Sequence, residues 1–331
     1  MVNKCVRALG LSSGGLDSIL AALILKNQGI DVTWITFKTP FFSPTSAILA
    51  SKQNNIPIRV EEITDIYMEM LKNPPAGYGK NMNPCMDCHT LMFAQAGAIM
   101  EREGFDFLFS GEVAGQRPMS QTKNSMNYVA NNSGFKGHIL RPLSARLFPE
   151  TPMEQEGLVD REKLLNISGR SRKAQITLAK EMGVTQYPAP GGGCLLTDKG
   201  FSKKLRDLMV VQKNYDTRDL YLLSHGRHLR LTPDTRIVVG RTQAENQEIS
   251  KLYDPSKDIK LRHARLAGPL TIIPGGGSEE IVRLAASICA GYTKADPVLP
   301  TQVLVQFQKK EEIVTVPVLK PVDLKNIVSY L

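Results

Sequence analysis

Apolar positions in the first part of the chain follow two alternating patterns. Short apolar runs, each with the length of a buried strand, lie at Val6–Leu11, Val32–Phe37, Ile56–Ile63, Phe105–Ser110 and Gly137–Leu143. Between these runs, apolar residues recur at helical spacing within Leu16–Ile24, Ser43–Asn54 and Met92–Met100. This alternation predicts an α/β fold, in which helices cover both faces of a parallel sheet and ligands bind at the carboxyl ends of the strands.

The pattern changes in the second part of the chain. Residues 144–200 continue the first domain with a basic turn, one helix and a loop rich in Pro and Gly. Beyond them, helices at Thr242–Leu252 and Ser278–Tyr292 separate strand-like runs. These runs are Leu220–Ser224, Arg236–Gly240, Leu270–Ile273, Gln302–Phe307 and Ile313–Val318. The sequence therefore predicts two domains, an α/β domain over residues 1–200 and a separate α+β domain over residues 201–331.

Composition restricts the class of protein. The 331 residues are 42% hydrophobic and 22% charged, and the apolar runs are too short to span a bilayer. The N-terminal segment lacks the architecture of a signal peptide, so we expect a cytoplasmic protein without a membrane partner. The net charge is +9, and basic residues exceed acidic ones by 3 in residues 1–200 and by 6 in residues 201–331. A basic surface favours a polyanionic partner, for which the C-terminal domain is the better candidate.

A glycine-rich turn, Ser13-Gly14-Gly15-Leu16-Asp17-Ser18, follows the first predicted strand and opens the first helix. Its glycines allow backbone N–H groups to approach an anion closely, and the helix N-terminus adds unsatisfied donors. Asp17 is out of place in a bare anion site, which indicates Mg²⁺ or the helix N-terminus as its partner. The Walker pattern is absent from this turn. A simple helix-capping turn would explain the same residues without a ligand.

The turn resembles the pyrophosphate loop of the ATP pyrophosphatase (PP-loop) superfamily, whose pattern is Ser-Gly-Gly-x-Asp-Ser. The resemblance implies an adenine nucleotide alpha-hydrolase-like domain that cleaves ATP between its α and β phosphates and adenylates a substrate oxygen. Because family members receive adenine at the end of the second strand, it also implies nucleotide contacts there. The ATP-binding residues implied in these two segments are Ser12, Ser13, Gly14, Gly15, Asp17, Ser18, Thr36 and Phe37. The motif alone leaves open whether the acceptor is a carboxylate, a purine carbonyl or a tRNA base.

The cysteines supply a second candidate chemistry. Five are present, and an odd number argues against a disulfide framework. Cys85 and Cys88 form a Cys-x-x-Cys pair after Asn83-Pro84, and Cys194 ends a run of three glycines. Thiolates are both metal ligands and sulfur nucleophiles, and a helix N-terminus favours the thiolate. Three unrelated cysteines are the alternative without function.

The Asn-Pro-Cys context resembles tRNA 2-thiouridylases, in which one cysteine here and another in a later Gly-rich loop relay a persulfide. The pair with a third cysteine also resembles iron–sulfur-dependent tRNA thiolases. That resemblance implies Cys85, Cys88 and Cys194 as ligands of a 4Fe–4S cluster whose fourth iron binds the transferred sulfur. The cluster is our leading expectation, ahead of a persulfide relay and of structural zinc, for which His89 is the candidate fourth ligand. Catalysis is then assigned to Asp17, Cys85 and Cys194.

Two further groups of residues are candidates for contacts with ATP or RNA. The loop that follows the strand at Phe105–Ser110 brings Gly111 and Gln116 to the ligand side of the sheet, where we expect contacts with ATP. Basic side chains in the first domain are candidates for RNA phosphates, although solvated surface charge is the simpler explanation of each. These basic residues are Arg117, Arg141, Arg170, Arg172 and Lys173.

Residues 236–298 resemble the RNA-binding domain of the NFACT proteins of ribosome quality control. The likeness rests on Val239-Gly240-Arg241, followed by Glu245-Asn246 and then His263-Ala264-Arg265. It implies that Arg241, His263 and Arg265 contact RNA. Aromatic residues for base stacking are few, so we expect recognition of tRNA shape, with a strong dependence on salt. A dimerisation or purely structural domain is the alternative.

Taken together, these resemblances predict an ATP-dependent tRNA sulfurtransferase that adenylates a uridine carbonyl oxygen and replaces it with sulfur. 4-Thiouridine is favoured over 2-thiouridine, and a cysteine desulfurase or free sulfide is the expected sulfur donor. An amide-forming PP-loop ligase would have no need of the three cysteines. A non-catalytic RNA-binding or quality-control factor would tolerate the loss of both Asp17 and the cysteines.

Overall fold

The computed structural model describes residues 5–189, 193–212, 215–308, 310–326 and 329–331. The chain packs into two compact units, Met1–Thr197 and Asp198–Leu331. Each unit has its own sheet and its own hydrophobic core. The second unit begins at the first turn of a helix that the sequence patterns did not predict.

The first unit contains a parallel five-stranded sheet in the order β3-β2-β1-β4-β5. Its strands are β1 (Arg7–Leu11), β2 (Asp31–Lys38), β3 (Ile58–Glu62), β4 (Phe107–Ser110) and β5 (Ile139–Leu140). Its helices are α1 (Leu16–Lys26), α2 (Thr45–Asn54), α3 (Thr64–Lys72), α4 (Cys85–Glu103), α5 (Lys123–Asn132), α6 (Pro152–Gln155) and α7 (Lys173–Glu181). The predicted α/β class is confirmed. Because the strand order reverses on either side of β1, the crevice beyond its carboxyl end is the expected ligand position.

The burial of the first unit's sheet explains why its strands appear in the sequence as continuous apolar runs. β1 is buried on both faces, with Ala8 and Leu9 fully inaccessible, and Trp34 of β2 is fully buried beside it. Helix α1 buries Leu16, Ile19 and Leu20 among these side chains. A strand that is covered on both sides loses the alternation of a half-exposed strand.

The second unit contains a seven-stranded antiparallel sheet in the order β11-β10-β8-β9-β7-β6-β12, which confirms the predicted α+β domain. Its strands are β6 (Arg227–Arg230), β7 (Arg236–Val239), β8 (Ile259–His263), β9 (Thr271–Ile273), β10 (Thr301–Phe307), β11 (Lys310–Val316) and β12 (Ser329–Tyr330). Its helices are α8 (Lys199–Val211), α9 (Thr217–Leu222), α10 (Gln243–Lys251) and α11 (Glu279–Gly291). Helix α11 buries one apolar face against this sheet.

Two predicted strands differ in the structure. The run Leu220–Ser224 was predicted as a strand, but Thr217–Leu222 is helical, with a capping box made by Asp216 and Asp219. A short apolar run does not distinguish strand from helix, so the capping residues decide the outcome. In Gly137–Leu143, only Ile139–Leu140 pairs as a strand. A turn of 3₁₀-helix precedes it, and Pro142, which lacks an N–H donor, follows it.

Candidate active site

The glycine-rich turn between β1 and α1 forms an anion-binding shape. Gly14 has a φ of +75°, and a Cβ there would overlap the backbone of Ser46 at the start of α2. Its N–H donates to the buried Ser12 hydroxyl over 3.1 Å. Gly15 is the N-cap of α1, and no side chain of the described residues caps this end. The first N–H groups of α1 therefore stay available for an oxyanion.

Asp17 lies in the first turn of α1 with its two carboxylate oxygens in different environments. Gln116 Nε2 donates to Oδ2 over 2.8 Å. Oδ1 is buried and has no hydrogen-bond partner among the described residues. Burial raises the pKa of Asp17, and the Gln116 hydrogen bond and the charges of Arg172 and Arg117 oppose that rise. A free carboxylate oxygen beside an anion-binding turn is a ligand of the type that Mg²⁺ takes.

The loop after β4, residues 111–121, connects this turn to the cysteine-bearing helix. A Cβ at Gly111 would overlap the backbone of Asp17, so the loop passes directly against α1. Gln116 contacts Asp17, as described above. Glu112, which is buried, lies with Oε1 2.8 Å from Nδ1 of His89 in α4. One loop therefore contacts both the phosphate-binding turn and the N-terminal part of α4.

Glu112 is held as a buried carboxylate. Arg141 Nε donates to its Oε2 over 2.9 Å, and Ser110 Oγ donates to the same oxygen over 3.1 Å. Burial acts to raise the pKa of Glu112, but the charge of Arg141 and the contact with His89 outweigh it, and the pKa falls to about 2. Arg141 was predicted to contact RNA; the structure instead places its guanidinium in this buried ion pair.

The three predicted cysteines converge on Tyr67 of α3. Cys85 is the first residue of α4 and Cys88 lies one turn later. Cys194 is brought to them by the Leu195 N–H, which donates to Phe41 O over 2.9 Å. Tyr67 is fully buried, and its pKa is raised by burial and by the charges of Cys88, Cys194 and Cys85. Within the described residues, its hydroxyl has no hydrogen-bond partner of good geometry.

The three thiols have different environments. Burial raises the pKa of Cys88 strongly, although the neighbouring Tyr67 hydroxyl opposes the rise. Burial also raises the pKa of Cys194, to about 11. The sulfur of Cys85 is partly exposed and accepts a hydrogen bond from Asn83 Nδ2 over 3.2 Å. Cys85 at the N-terminus of α4 is therefore the best placed of the three to react from solution.

The arrangement of these thiols bears on metal binding. In the part of the chain that the structure describes, no three His, Cys, Asp or Glu side chains are arranged to hold a metal ion. Cys85, Cys88 and Cys194 are nevertheless close enough for their charges to interact in pairs. Residues 190–192 of the glycine-rich stretch before Cys194 lie outside the described residues. The thiols are thus gathered at one place without forming a ready metal site.

The remaining predicted nucleotide residues occupy the same edge of the sheet. Thr36 and Phe37 are buried near the carboxyl end of β2. Ser18 is buried in α1, and Ser13 is exposed at the turn. All four lie at or just beyond the strand ends β1 and β2, which are neighbours in the sheet.

The predicted RNA contacts fall into two groups. Arg117, Arg170, Lys173, Arg241 and Arg265 are exposed. Arg172 is half-buried beside Asp17, as its effect on that carboxylate shows. His263 is buried, with Nε2 2.8 Å from Thr301 Oγ1 and Nδ1 accepting from the N–H groups of Arg265 and Leu266.

Sequence patterns did not reveal three residues of this site. Tyr67, Glu112 and Gln175 are buried polar side chains whose partners come from distant segments. Gln175 is fully buried in α7 and donates from Nε2 to Gln116 Oε1 over 3.0 Å. Tyr67 and Gln175 are polar residues inside helical patterns, where such residues are usually interpreted as solvent-exposed, and Glu112 lies in a loop. Residue spacing therefore gave no indication that these three side chains are buried.

Comparison with known proteins finds matches in both parts of the chain. Residues 4–146 match the family model "Thiamine biosynthesis protein (ThiI)", and residues 226–330 match "NFACT protein RNA binding domain". These matches confirm the predicted resemblance to PP-loop tRNA thiolation enzymes and the predicted resemblance to the NFACT RNA-binding domain. Among the described residues, no helix is both long enough and apolar enough to cross a membrane.

Curated relatives match part of the chain. A "Probable tRNA sulfurtransferase" from Lactobacillus gasseri is 28% identical over 152 residues, which cover 43% of this chain and 36% of the relative. The protein of the same name from Acholeplasma laidlawii is 30% identical over 149 residues, covering 41% and 34%. The chain thus spans about a third of the length of these curated relatives. A solved 4-thiouridine synthetase–RNA complex with bound ATP covers 54% of this chain and 41% of its own, at 20% identity and a TM-score of 0.37.

Proposed function

We propose that this chain, with its ThiI-type domain and its NFACT-type RNA-binding domain, is an ATP-dependent tRNA sulfurtransferase. The proposal rests on one observation, which is that two groups of candidate functional residues lie beside the same sheet. The phosphate-binding turn at Gly14 and the thiols around Tyr67 are connected by the single loop of residues 111–121, through Gln116 and Glu112. This arrangement serves a reaction that first activates a base with ATP and then delivers sulfur to it.

The turn and Asp17 perform the activation. The N–H groups at the start of α1 hold the phosphates, and the free Oδ1 of Asp17 is the atom that would hold Mg²⁺. A bound Mg²⁺ would supply positive charge beside the phosphates as pyrophosphate leaves. The uridine carbonyl oxygen attacks the α-phosphate, so that the base becomes an adenylate. Sulfur then displaces AMP at the same carbon. Carbonyl O4 is favoured over O2, which makes 4-thiouridine the product.

Cys85, Cys88 and Cys194 hold the sulfur. Their number and their thiol chemistry fit a 4Fe–4S cluster with one open iron, although the side chains must rearrange from the conformation seen here to bind it. A bound cluster would supply an iron that carries the transferred sulfide. The buried Tyr67 hydroxyl, which lacks a partner of good geometry, remains available to a sulfur bound at this place.

A persulfide relay is the second candidate mechanism, and the contrast between the thiols favours it. Cys85 is partly exposed at a helix N-terminus, whereas burial raises the pKa of Cys88 and Cys194. Cys85 would then take the outer sulfur from the persulfide of a cysteine desulfurase, whose own thiol is released. After that sulfur displaces AMP, Cys194 would attack the Cys85 sulfur, which frees the thiocarbonyl and leaves a Cys85–Cys194 disulfide. An external dithiol would reduce that disulfide. This mechanism gives Cys88 no role in transfer.

The second unit supplies the contact with tRNA. Arg241 and Arg265 are exposed, and the unit carries the larger share of the net positive charge. The buried His263 organises the turn that presents Arg265, since its Nδ1 accepts from the Arg265 N–H over 3.1 Å. We therefore assign phosphate contact to the two arginines and a structural role to His263.

The decisive experiment is the thiolation of unmodified tRNA. The purified chain is incubated without oxygen with tRNA, ATP, Mg²⁺ and sulfide, and the digested nucleosides are analysed by mass spectrometry. We expect 4-thiouridine to form, and to be lost in Asp17→Asn, Cys85→Ser and Cys194→Ser. Cys5→Ser, which changes an exposed thiol remote from the site in the sequence, is the matched control and should retain activity.

The other outcomes separate the alternatives. Formation of 2-thiouridine would support the proposed reaction but place it at carbonyl O2 and not at O4. In another outcome, the wild-type chain binds tRNA and yet forms no thionucleoside with either sulfide or a cysteine desulfurase as donor. That result would overturn the proposal of an enzyme and favour a non-catalytic RNA-binding factor. Binding that survives Asp17→Asn and all three cysteine variants would support the same conclusion.

Iron and sulfide content distinguishes the two ways of holding sulfur. After anaerobic reconstitution, a cluster predicts about four irons per chain and a broad absorption band near roughly 400 nm. Cys85→Ala, Cys88→Ala and Cys194→Ala should each lose them, whereas Cys5→Ala should not. A colourless, iron-free chain that still thiolates tRNA would leave the persulfide relay, and in that case Cys88→Ala should remain active.

A further inference from the structure

Helix α8, the first element of the second unit, carries a row of basic side chains along one side. Lys199, Lys203 and Arg206 are exposed and follow one another at intervals of four and three residues, so they share one face of the helix. The opposite face is buried, through residues that include Phe201 and Leu205. We call the three exposed cations the α8 stripe. Neither family model covers it, since one match ends at residue 146 and the other begins at residue 226.

The stability of α8 does not explain this row. Positive charge near a helix N-terminus is unfavourable because of the helix dipole, and like charges three or four residues apart repel each other. Lys199 is the first residue of α8, and Lys203 and Arg206 follow it at these spacings. The one acidic residue in the helix, Asp207, accepts from Arg230 Nε over 3.1 Å in an ion pair with the sheet. The placement of the stripe therefore favours a role in binding an anion outside the chain.

Other helices of the second unit arrange their exposed cations differently. In α10, Lys251 Nζ lies 2.7 Å from Glu248 Oε1. In α11, Arg283 Nε lies 3.6 Å from Glu279 Oε1. Each carboxylate lies one turn N-terminal to its cation, which is the arrangement that stabilises a helix. Lys251 and Arg283 thus provide matched controls for the α8 stripe.

The side of α8 next to the stripe adjoins an arginine that we assign to RNA. Lys204, which follows Lys203, is half-buried and donates to Leu223 O. Burial and the charge of Arg241 lower the pKa of Lys204 to about 8. This effect of charge requires Arg241 to lie close to the N-terminal half of α8, because interactions between charges fall off with distance.

The turn that carries Arg241 is bonded to the segment that carries Arg265. The Gly240 N–H donates to Leu270 O over 3.0 Å, and the Leu270 N–H donates to Asn246 Oδ1 over 3.0 Å. Arg265 lies in the same segment, shortly before Leu270 in the sequence. The α8 stripe, Arg241 and Arg265 therefore belong to neighbouring segments of the second unit.

We propose that the α8 stripe binds the phosphate backbone of tRNA and extends the contact made by Arg241 and Arg265. Cations that repeat once per helical turn complement the regular negative charge of a nucleic-acid strand. Contacts with phosphate fix the position of the RNA and carry no sequence information. The identity of the RNA as tRNA rests on the proposed function, whereas the surface itself does not.

Binding of unmodified tRNA to the full chain, measured without ATP and without a sulfur donor, tests this surface. Lys199→Gln with Arg206→Gln removes two charges from the stripe, and Lys251→Gln with Arg283→Gln removes two charges from the control positions. We expect the stripe variant to bind about tenfold more weakly, with a plot of log affinity against log salt that is shallower by about two. The control variant should keep the affinity and the salt slope of the wild type.

Two further measurements separate RNA contact from a structural role. Chemical unfolding should show the stripe variant to be at least as stable as wild type, because the substitutions relieve unfavourable charge at the start of α8. Lys199→Arg with Arg206→Lys preserves both charges and should bind tRNA as the wild type does. A stripe variant that is unstable, together with weak binding by this charge-preserving variant, would assign the row to structure.

Other results would also overturn the proposal. Unchanged tRNA affinity and salt slope in the stripe variant would exclude contact with the RNA. An equal loss in the control variant would indicate a dependence on net charge alone. Thiolation enters none of these measurements. A chain that binds tRNA through the α8 stripe but forms no thionucleoside would contradict the proposed enzyme and would support this surface.

Discussion

The Nδ1 atom of His89 lies 2.8 Å from Oε1 of Glu112, so the cysteine-bearing helix is tied to the loop that also holds Asp17. Glu112 is buried, and Arg141 neutralises it from its other side. The three side chains form a compact unit between the phosphate-binding turn and the thiols around Tyr67, the two regions to which the proposed function gives separate steps. We infer that the spacing between activation and sulfur delivery is set largely here.

Removal of the charge at Glu112 should destabilise the first unit. Glu112→Gln leaves Arg141 buried without a counter-charge, which should cost roughly 3–5 kcal/mol at neutral pH. Because the folded-state pKa is about 2, below the ordinary 4.5, the stabilisation is fully present above about pH 4.5 and is lost as pH falls toward 2. Urea unfolding of both proteins across this range should therefore show the difference narrowing with acid.

The exposed Glu101 on the same helix α4 provides a matched control for that measurement. Glu101→Gln should change the free energy of unfolding by less than about 0.5 kcal/mol at any pH. A Glu112→Gln protein that is as stable as wild type at pH 7 would contradict the role assigned to the ion pair. A difference that grew on acidification would contradict the assigned pKa.

Gly14 and Gly15 should differ in their tolerance of a side chain. Gly14→Ala places a Cβ at a φ of +75° and into the backbone of Ser46, which should cost more than the roughly 1–2 kcal/mol of the left-handed conformation alone. Gly15→Ala has an ordinary φ, and its Cβ would lie 3.5 Å from Ser13 Oγ, so about 0.5 kcal/mol is expected. Denaturant unfolding should show a larger loss in the free energy of unfolding for Gly14→Ala than for Gly15→Ala. Equal losses would contradict this prediction.

Substitutions of His263 and Arg265 should affect different properties, the first mainly stability and the second RNA binding. His263→Ala leaves the partly buried N–H groups of Arg265 and Leu266 without their acceptor, and should cost roughly 1 kcal/mol of stability in the second unit. Arg265→Gln should leave stability unchanged but weaken RNA binding and reduce the salt slope by about one. Filter binding at several salt concentrations, beside chemical unfolding, measures both effects. A His263→Ala protein that loses RNA binding but no stability would reverse the assignment, because it would indicate direct contact of His263 with RNA.

In the native, metal-free chain, four of the five thiols should fall into two classes of reactivity, with the partly exposed Cys194 left aside. Cys5 and Cys85 are accessible, whereas Cys88 is 8% exposed and Cys289 fully buried. Brief treatment with iodoacetamide at pH 7.5, followed by peptide mass spectrometry, should label the first pair. The second pair should be labelled only after denaturation. Rapid labelling of Cys88 in the folded chain, with Cys289 protected, would show that the thiol site opens readily.

Sequence patterns predicted the elements that bury large apolar faces and the motifs that are contiguous. β1, α1 and the phosphate-binding turn belong to this class, because Leu16–Ile24 and the adjoining glycines carry their information locally. Arg141, in contrast, was predicted to contact RNA, since its partner Glu112 is distant in the chain and left no local signal of an ion pair. The same holds for Gln175 and Tyr67, whose roles depend on segments brought together only by the fold. Leu220–Ser224 was wrong because capping by Asp216 outweighed an ambiguous apolar run.

The hydrogen bond from Leu195 to Phe41 has a consequence for how the protein matures. The two bonded residues are about 150 positions apart in the sequence. A contact between such distant residues becomes favourable only after the intervening chain has been ordered. Cys194 therefore joins Cys85 and Cys88 only after the chain between Phe41 and Leu195 has been ordered. Until then the three thiols stay apart, so a ligand that needs all three of them can bind only when the first unit has folded.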